Sequence, residues 1–211
     1  PEGRRATKGK SIMNFLPLVE GERVTSVLPV RKSAKNDEAA LMMVTRDGTA
    51  KKVAAESFED VRKSGIIAIS LHDKDALISA HFVEKGDECF VITEKGQSIR
   101  FKESAIREMG RNAAGVRAIK LGKNDSVVAT GVAAKGAADI EVLVVMQNGY
   151  GKTTPVEEYK TQKRGGSGIK TVKVTPKTGA LIAAKVISKE EGVGADEMVV
   201  MQEQGIPIAP G

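Results

Sequence analysis

Leu41-Met-Met-Val-Thr-Arg-Asp-Gly48 is an apolar run that closes on a turn dipeptide, and the arrangement returns along the chain. Its copies are Cys89-Phe-Val-Ile-Thr-Glu-Lys-Gly96, Leu143-Val-Val-Met-Gln-Asn-Gly149 and Met198-Val-Val-Met-Gln-Glu-Gln-Gly205. Each run is short, rich in Val, Ile and Met, and bounded by glycine, which reads as a buried strand entering a hairpin. Asp47-Gly48 and Asn148-Gly149 are hairpin dipeptides, because both central positions of a type I′ turn need φ > 0. Strand character continues past the turn over Lys51 to Val53 and Gln97 to Phe101.

Two further kinds of segment recur in fixed order around these runs. One follows a glycine: Gly65-Ile-Ile-Ala-Ile-Ser-Leu71, Gly115-Val-Arg-Ala-Ile-Lys-Leu121 and Gly168-Ile-Lys-Thr-Val-Lys-Val174, with a weaker copy in Gly9-Lys-Ser-Ile-Met-Asn-Phe15. The other is short and rich in Val, Ile and Ala, at Arg23 to Val30, Ala76 to Val83, Ser126 to Ala133 and Ala180 to Ile187. The period is about 50 residues, in the range of bladed and solenoid arrays. Each unit holds three clear strands and room for a fourth. The connectors Ala54 to Val61, Lys102 to Met109 and Pro155 to Lys160 read as short helical turns, and no long amphipathic helix interrupts them. The expected fold is therefore all-β: a single repeat domain, a propeller-like array of about four four-stranded antiparallel blades. Its blades fall at roughly 3–62, 63–109, 110–161 and 162–211. With no Trp, the chain lacks the Trp-Asp signature of a common propeller of this period.

Composition excludes several functions. The 211 residues carry a formal net charge of +6, with five Phe, two Tyr and no Trp. A module that grips single strands by stacking bases needs aromatic platforms that this chain can hardly build. A single thiol, Cys89, cannot form an internal disulfide, and its place in an apolar strand makes it a core residue. His72 and His81 have no Cys or His neighbour at metal-ligand spacing, so no metal site is expected. No apolar run reaches the roughly 20 residues of a membrane span, and the first residues lack a signal peptide's apolar centre. A cytoplasmic protein without membrane partner is expected.

Two stretches imitate a phosphate-binding loop and fail on spacing. Gly3-Arg-Arg-Ala-Thr-Lys-Gly9-Lys10-Ser11 has one residue too many between its glycines, which re-aims the amides that must converge on phosphate. Gly149-Tyr-Gly151-Lys152-Thr153 has Met146 where the first glycine belongs, and it lies on a hairpin turn. No nucleophile elbow or metalloprotease helix occurs, and neither Tyr150 nor Tyr159 has a base nearby. No catalytic residue and no cofactor is expected.

What remains is a basic pattern locked to the repeat. An arginine stands four residues before three of the leading glycines: Arg5, Arg111 and Arg164. Arg4 and Lys8 flank the first of these, and the second unit offers Arg62 and Lys63 instead. After three of the four glycines, offsets two and five are both polar, and in the last two units they are Arg117, Lys120, Lys170 and Lys173. Any one of these lysines reads equally as a solvated strand face. Recurrence at corresponding positions places the charges along one rim, where cations neutralise phosphates.

Gln162-Lys-Arg-Gly-Gly-Ser-Gly168 resembles the Gln-Arg-Arg-Gly-Gly-Lys-Gly box of the DNA gyrase A C-terminal domain. Glu108-Met-Gly-Arg-Asn-Ala-Ala-Gly-Val116, Asn148-Gly-Tyr-Gly-Lys-Thr-Thr-Pro155 and Glu157-Glu-Tyr-Lys-Thr-Gln162 are similar to that domain's inter-blade sequences. The resemblance covers nearly the whole chain. It implies a β-pinwheel, in which blades exchange strands and duplex DNA wraps a basic perimeter in support of negative supercoiling. It further implies partners in the rest of the gyrase A protein and in gyrase B, with the DNA-cutting tyrosine outside this chain. The box function carries over to Gln162, Lys163, Arg164, Gly165, Gly166 and Gly168, whereas Ser167 replaces the box lysine. The position of this box implies a fragment of about four blades from the middle of the domain. The related C-terminal domain of topoisomerase IV and a protein-interaction propeller are the alternative readings.

Overall fold

A computed structural model describes residues 8–16, 18, 22–28, 39–59, 61, 65–188, 200–201 and 207–208. The described residues form strands, short 3-10 turns and loops, with no α-helix among them. The strands are β1 (Ala40–Thr45), β2 (Thr49–Ala54), β3 (Leu77–Val83), β4 (Glu88–Thr93), β5 (Gln97–Lys102), β6 (Val116–Arg117) and β7 (Val127–Ala133). They continue with β8 (Ile140–Met146), β9 (Gly151–Pro155), β10 (Ile169–Lys170), β11 (Leu181–Ser188), β12 (Val200–Met201) and β13 (Pro207–Ile208). The connectors read as helical turns carry 3-10 helices at Ala55–Phe58, Glu103–Ala105 and Val156–Glu158.

Three sheets follow one plan. The first has the order β3-β1-β2-β6, the second β10-β5-β4-β7 and the third β11-β8-β9, while β12 and β13 form a separate two-stranded ladder. All ladders between named strands are antiparallel. In each of the first two sheets a hairpin is flanked on one side by the Val-rich strand of the next repeat. On the other side lies the glycine-led strand of the repeat after that. The repeat in sequence and the sheet in space are therefore different units, and strand exchange knits neighbouring repeats together.

The apolar runs have no polar alternation because both of their faces are covered. Along β4, Cys89 and Val91 pack into a core shared with Met42, Val44 and Ile119 of the first sheet's side. Phe90 and Ile92 point the other way, into a second core with Val142, Val144, Met146 and Leu181 of the third sheet. The ring of Tyr159 meets Phe90 edge-on, with centroids 5.6 Å apart. Burial pushes the Cys89 thiol up to about 12, so it stays an uncharged core residue. Gly131 sits where a Cβ would meet a Val186 methyl at 2.4 Å, so its bare backbone lets β11 approach β7.

The hairpin turns differ from the expected type I′. Gly48 has φ +81° and Gly149 φ +82°, but Asp47 and Asn148 are not in the positive-φ region. The amide of Gly48 donates to the carbonyl of Thr45, and those of Gly96 and Gly149 donate to Thr93 and Met146. Each loop is a three-residue one, a type I turn followed by a left-handed glycine that makes a bulge. One residue more than the dipeptide reading assumes separates the strand ends, so only the glycine needs φ > 0.

Candidate nucleic-acid interface

The glycine-led segments form the outer edges of the sheets. β6 pairs with β2 in the register Thr49↔Arg117 and Ala50↔Val116, and β10 pairs with β5 as Gln97↔Lys170 and Ser98↔Ile169. Contacts between sheets run through β3, β7 and β11, at the opposite edges. The close crossing explains the leading glycines: a Cβ on Gly115 would lie 2.6 Å from the Ala50 carbonyl oxygen, and one on Gly168 2.2 Å from that of Ser98. Beyond each short strand the chain caps the neighbouring hairpin turn. Ala118 N–H donates to the Gly48 carbonyl and Thr171 N–H to that of Gly96, both at 2.8 Å.

The next repeat's box loop then lies across that segment. Gly165 N–H donates to the Ala118 carbonyl at 2.5 Å, and Lys120 N–H donates to the Gly166 carbonyl at 2.8 Å. The loop is anchored at its start by Gln162 N–H donating to Arg100 O, 2.8 Å away. One repeat earlier the same arrangement appears, with Met109 N–H on Lys52 O and Ser70 N–H on Ala113 O. Gly165 and Gly168 adopt φ of +79° and +71°, which the loop needs to turn between these contacts.

Arg111, Arg117, Lys120, Lys163, Arg164, Lys170 and Lys173 are all exposed, as is Lys8 near the first leading glycine. No carboxylate among the described residues pairs with any of them. The structure thus brings together the box loop and the offset-two and offset-five cations on the same outer edges. Arg4, Arg5, Arg62 and Lys63 lie outside the described residues. Arg164 combines exposure with a fixed position: its Nε donates to the Ala105 carbonyl at 2.8 Å and its Nη1 to the Arg117 carbonyl at 3.2 Å. It fastens the box loop to the two preceding repeats, to the connector of one and to β6 of the other.

The cations are unevenly spread. At the offset filled by Arg117 and Lys170, the earlier repeat has Ile67, which is 69% exposed, and at offset five it has Ser70. Arg107 and Lys160 are further exposed cations that the reading from the sequence omits. Each stands just before the residue that bridges to the hairpin, Glu108 to Lys52 and Thr161 to Arg100. Both lie eight residues before a leading glycine, a shared offset that could have revealed them.

Other basic residues serve the interior. Lys52 Nζ meets Glu103 Oε2 at 2.5 Å in a nearly buried pair. Arg100 donates through Nε to Glu88 Oε2 at 2.9 Å and through Nη1 to the Val156 and Tyr159 carbonyls. Burial acts to raise the Glu88 carboxyl, but hydrogen bonds from Arg100 and Thr161 and the nearby Arg100 charge outweigh it and hold the group below its ordinary 4.5. Lys51 is fully buried and donates to the carbonyls of Ala68 and Arg111, and burial lowers its ammonium pKa. Nothing in the sequence marks Lys51 as interior.

Comparison with known proteins gives matches over most of the chain. The family described as DNA gyrase C-terminal domain, beta-propeller, matches residues 1–31, 39–84, 87–134 and 141–188. The DNA gyrase A protein of Salmonella typhimurium is 42% identical over 184 residues, which cover 87% of this chain and 20% of that protein. Its Staphylococcus epidermidis counterpart is 36% identical over 208 residues, covering 99% of this chain and 22% of its own length. The chain thus spans about a fifth of these relatives. Among solved structures, a DNA gyrase A C-terminal domain superposes with a TM-score of 0.73 at 27% identity, covering 86% of this chain and 59% of that one. A topoisomerase IV C-terminal domain gives 0.81 at 22% identity, covering 95% and 60%, which shows a shared fold.

Proposed function

Since this chain belongs to the family of DNA gyrase C-terminal domains, we propose that it binds duplex DNA along the outer edges of its sheets and bends it there. The observation that carries the reading is the repeated placement of exposed cations, without carboxylate partners among the described residues, on β6, β10 and the box loop. Phosphate neutralisation releases counterions and is indifferent to sequence. Bending a 20–30 base-pair duplex by 40–90° costs about 1–6 kcal/mol, so many weak contacts must act together. The chain corresponds to the accessory C-terminal domain, away from the catalytic region. In the parent enzyme it would serve negative supercoiling in the cytoplasm, alongside the rest of gyrase A and its partner gyrase B.

Binding of a fluorescent duplex at several salt concentrations tests the proposal. Affinity should fall linearly on logarithmic axes and vary little between duplex sequences. A protein-interaction propeller would show no binding at low salt, and a flat salt response would remove the rim as the contact surface.

A further inference from the structure

Two loops of the same kind cross the outer edges, and they are held by different means. The box loop lies over Ile99 of β5, whose Cδ1 is 3.7 Å from where a Cβ on Gly166 would stand. Its Gly165, at φ +79°, aims a main-chain amide at the Ala118 carbonyl. Glycine reaches that backbone region without steric cost. Three residues before the earlier leading glycine, Asn112 stands where the box loop has Gly165. Three residues after Gly65, Ala68 stands where the later segment has Ala118. Asn112 is outside the positive-φ region, and the Ala68 carbonyl takes no main-chain amide of that loop.

Lys51 of β2 fills the gap. It lies opposite Met43 as Ile99 lies opposite Val91, so the two occupy the same place in successive sheets. Lys51 is fully buried, and its ammonium donates to Ala68 O at 2.8 Å and to Arg111 O. No carboxylate among the described residues pairs with it. A buried ammonium is costly unless it is hydrogen-bonded, and its two acceptors come from different segments. One side chain thus ties the 110–115 loop to the 65–71 segment, where the later repeat uses a glycine amide.

The exchange changes what the loop arginine is free to do. Arg164 commits its guanidinium to the Ala105 and Arg117 carbonyls. Arg111, at the same offset before its glycine, is exposed, and its guanidinium makes no hydrogen bond among the described residues. We propose, resting on the duplex-binding role given above, that Lys51 is a positioning residue for Arg111. It holds the 110–115 loop from beneath through the Arg111 carbonyl and leaves the guanidinium to meet a phosphate. Lys51 itself, fully buried, touches no DNA.

Salt-dependent duplex binding and amide hydrogen exchange on the 211-residue chain test this together. Lys51→Ile puts at 51 the residue type that position 99 carries, so the variant should fold and melt like the parent. The Ser70 and Ala113 amides should exchange about tenfold faster or more, with Gly165 and Lys120 unchanged. The logarithmic salt slope should flatten by about 0.9, the loss of one phosphate contact, as it should in Arg111→Ser. Combining these two should flatten it no further, whereas Lys51→Ile with Lys170→Ser should add a second step of similar size. A lost buried charge acting on DNA at a distance would instead still count in the Arg111→Ser background. Lys51→Ile with Asn112→Gly recreates the pairing of Ile99 with Gly165 and should restore both slope and exchange. Should Lys51→Ile unfold, Lys51→Met keeps the side-chain length without the donor and carries the same comparisons. With the parent slope intact, an unchanged slope in Lys51→Ile, a further loss in the Arg111→Ser background, or a glycine pair that restores neither readout would each overturn the proposal and leave the duplex-binding role standing. A parent chain with a flat slope would remove both.

Discussion

Arg164 shows how one side chain can belong to a charged rim and to the framework beneath it. Its guanidinium donates to the Ala105 and Arg117 carbonyls, while Lys163 beside it is exposed and donates to neither. Lysine carries the charge but cannot reproduce the planar fork that reaches both carbonyls. Arg164→Lys should therefore keep most of the affinity for duplex yet loosen the loop, and hydrogen exchange at the Gly165 and Lys120 amides should quicken. Lys163→Ala should weaken binding without changing that exchange. Equal exchange in the two variants would show that the contacts made by Arg164 hold nothing in place.

A second residue-scale consequence concerns Glu88. Its folded-state carboxyl sits below the ordinary value, so the pair with Arg100 contributes stability above that value. The contribution is lost as pH falls from about 4.5 through the folded-state value. Glu88→Gln should accordingly cost stability near neutrality and narrow the gap to wild type as the solution is acidified through that window. A melting-temperature difference that is constant with pH would contradict the assignment.

At the scale of the element, the leading glycine decides whether an edge strand can dock. Gly168 combines φ of +71° with an approach that leaves no room for a Cβ beside Ser98 O. Gly168→Ala carries about 1–3 kcal/mol of backbone strain before the clash is counted. It should detach β10, lower the melting temperature and weaken DNA binding together. Gly110→Ala meets nothing within 4 Å at a site without positive φ, so it should stay within about 0.5 kcal/mol of wild type in chemical denaturation.

The hairpin runs were legible in the sequence because burial on both faces produces unbroken apolar stretches such as Cys89 to Thr93. The existence of the Gly115 and Gly168 segments was legible as well, through their repetition. Their partners were not: β6 and β10 are two residues long, and each pairs with a hairpin two repeats earlier. Local periodicity carries no record of so distant a choice. Lys51 and Lys52 escaped for a related reason, since consecutive cations in a strand look solvated until neighbouring repeats close over them.

For the whole molecule, the modest net charge of +6 matters less than where it is displayed. Salt bridges among the described residues hold Lys52 and Arg100 inside, while the outer edges keep cations without carboxylate partners. Within those edges the charge strengthens from the 65–71 segment to the 168–174 segment, as Ile67 and Ser70 give way to Arg and Lys. Duplex DNA should therefore hold most tightly at the edges of the first two sheets, where β6 and β10 lie.

The most direct test replaces Arg117, Lys120, Lys170 and Lys173 together by Ser and compares the salt dependence of duplex binding with that of the parent chain. None of these side chains has a carboxylate partner among the described residues, so the variant should fold and melt like the parent. Each lost phosphate contact should flatten the logarithmic salt slope by about 0.9, and the set by about 3–4. The account expects lower affinity, reduced bending by fluorescence energy transfer between the duplex ends, and that shallower slope. An unchanged slope with unchanged bending would contradict it.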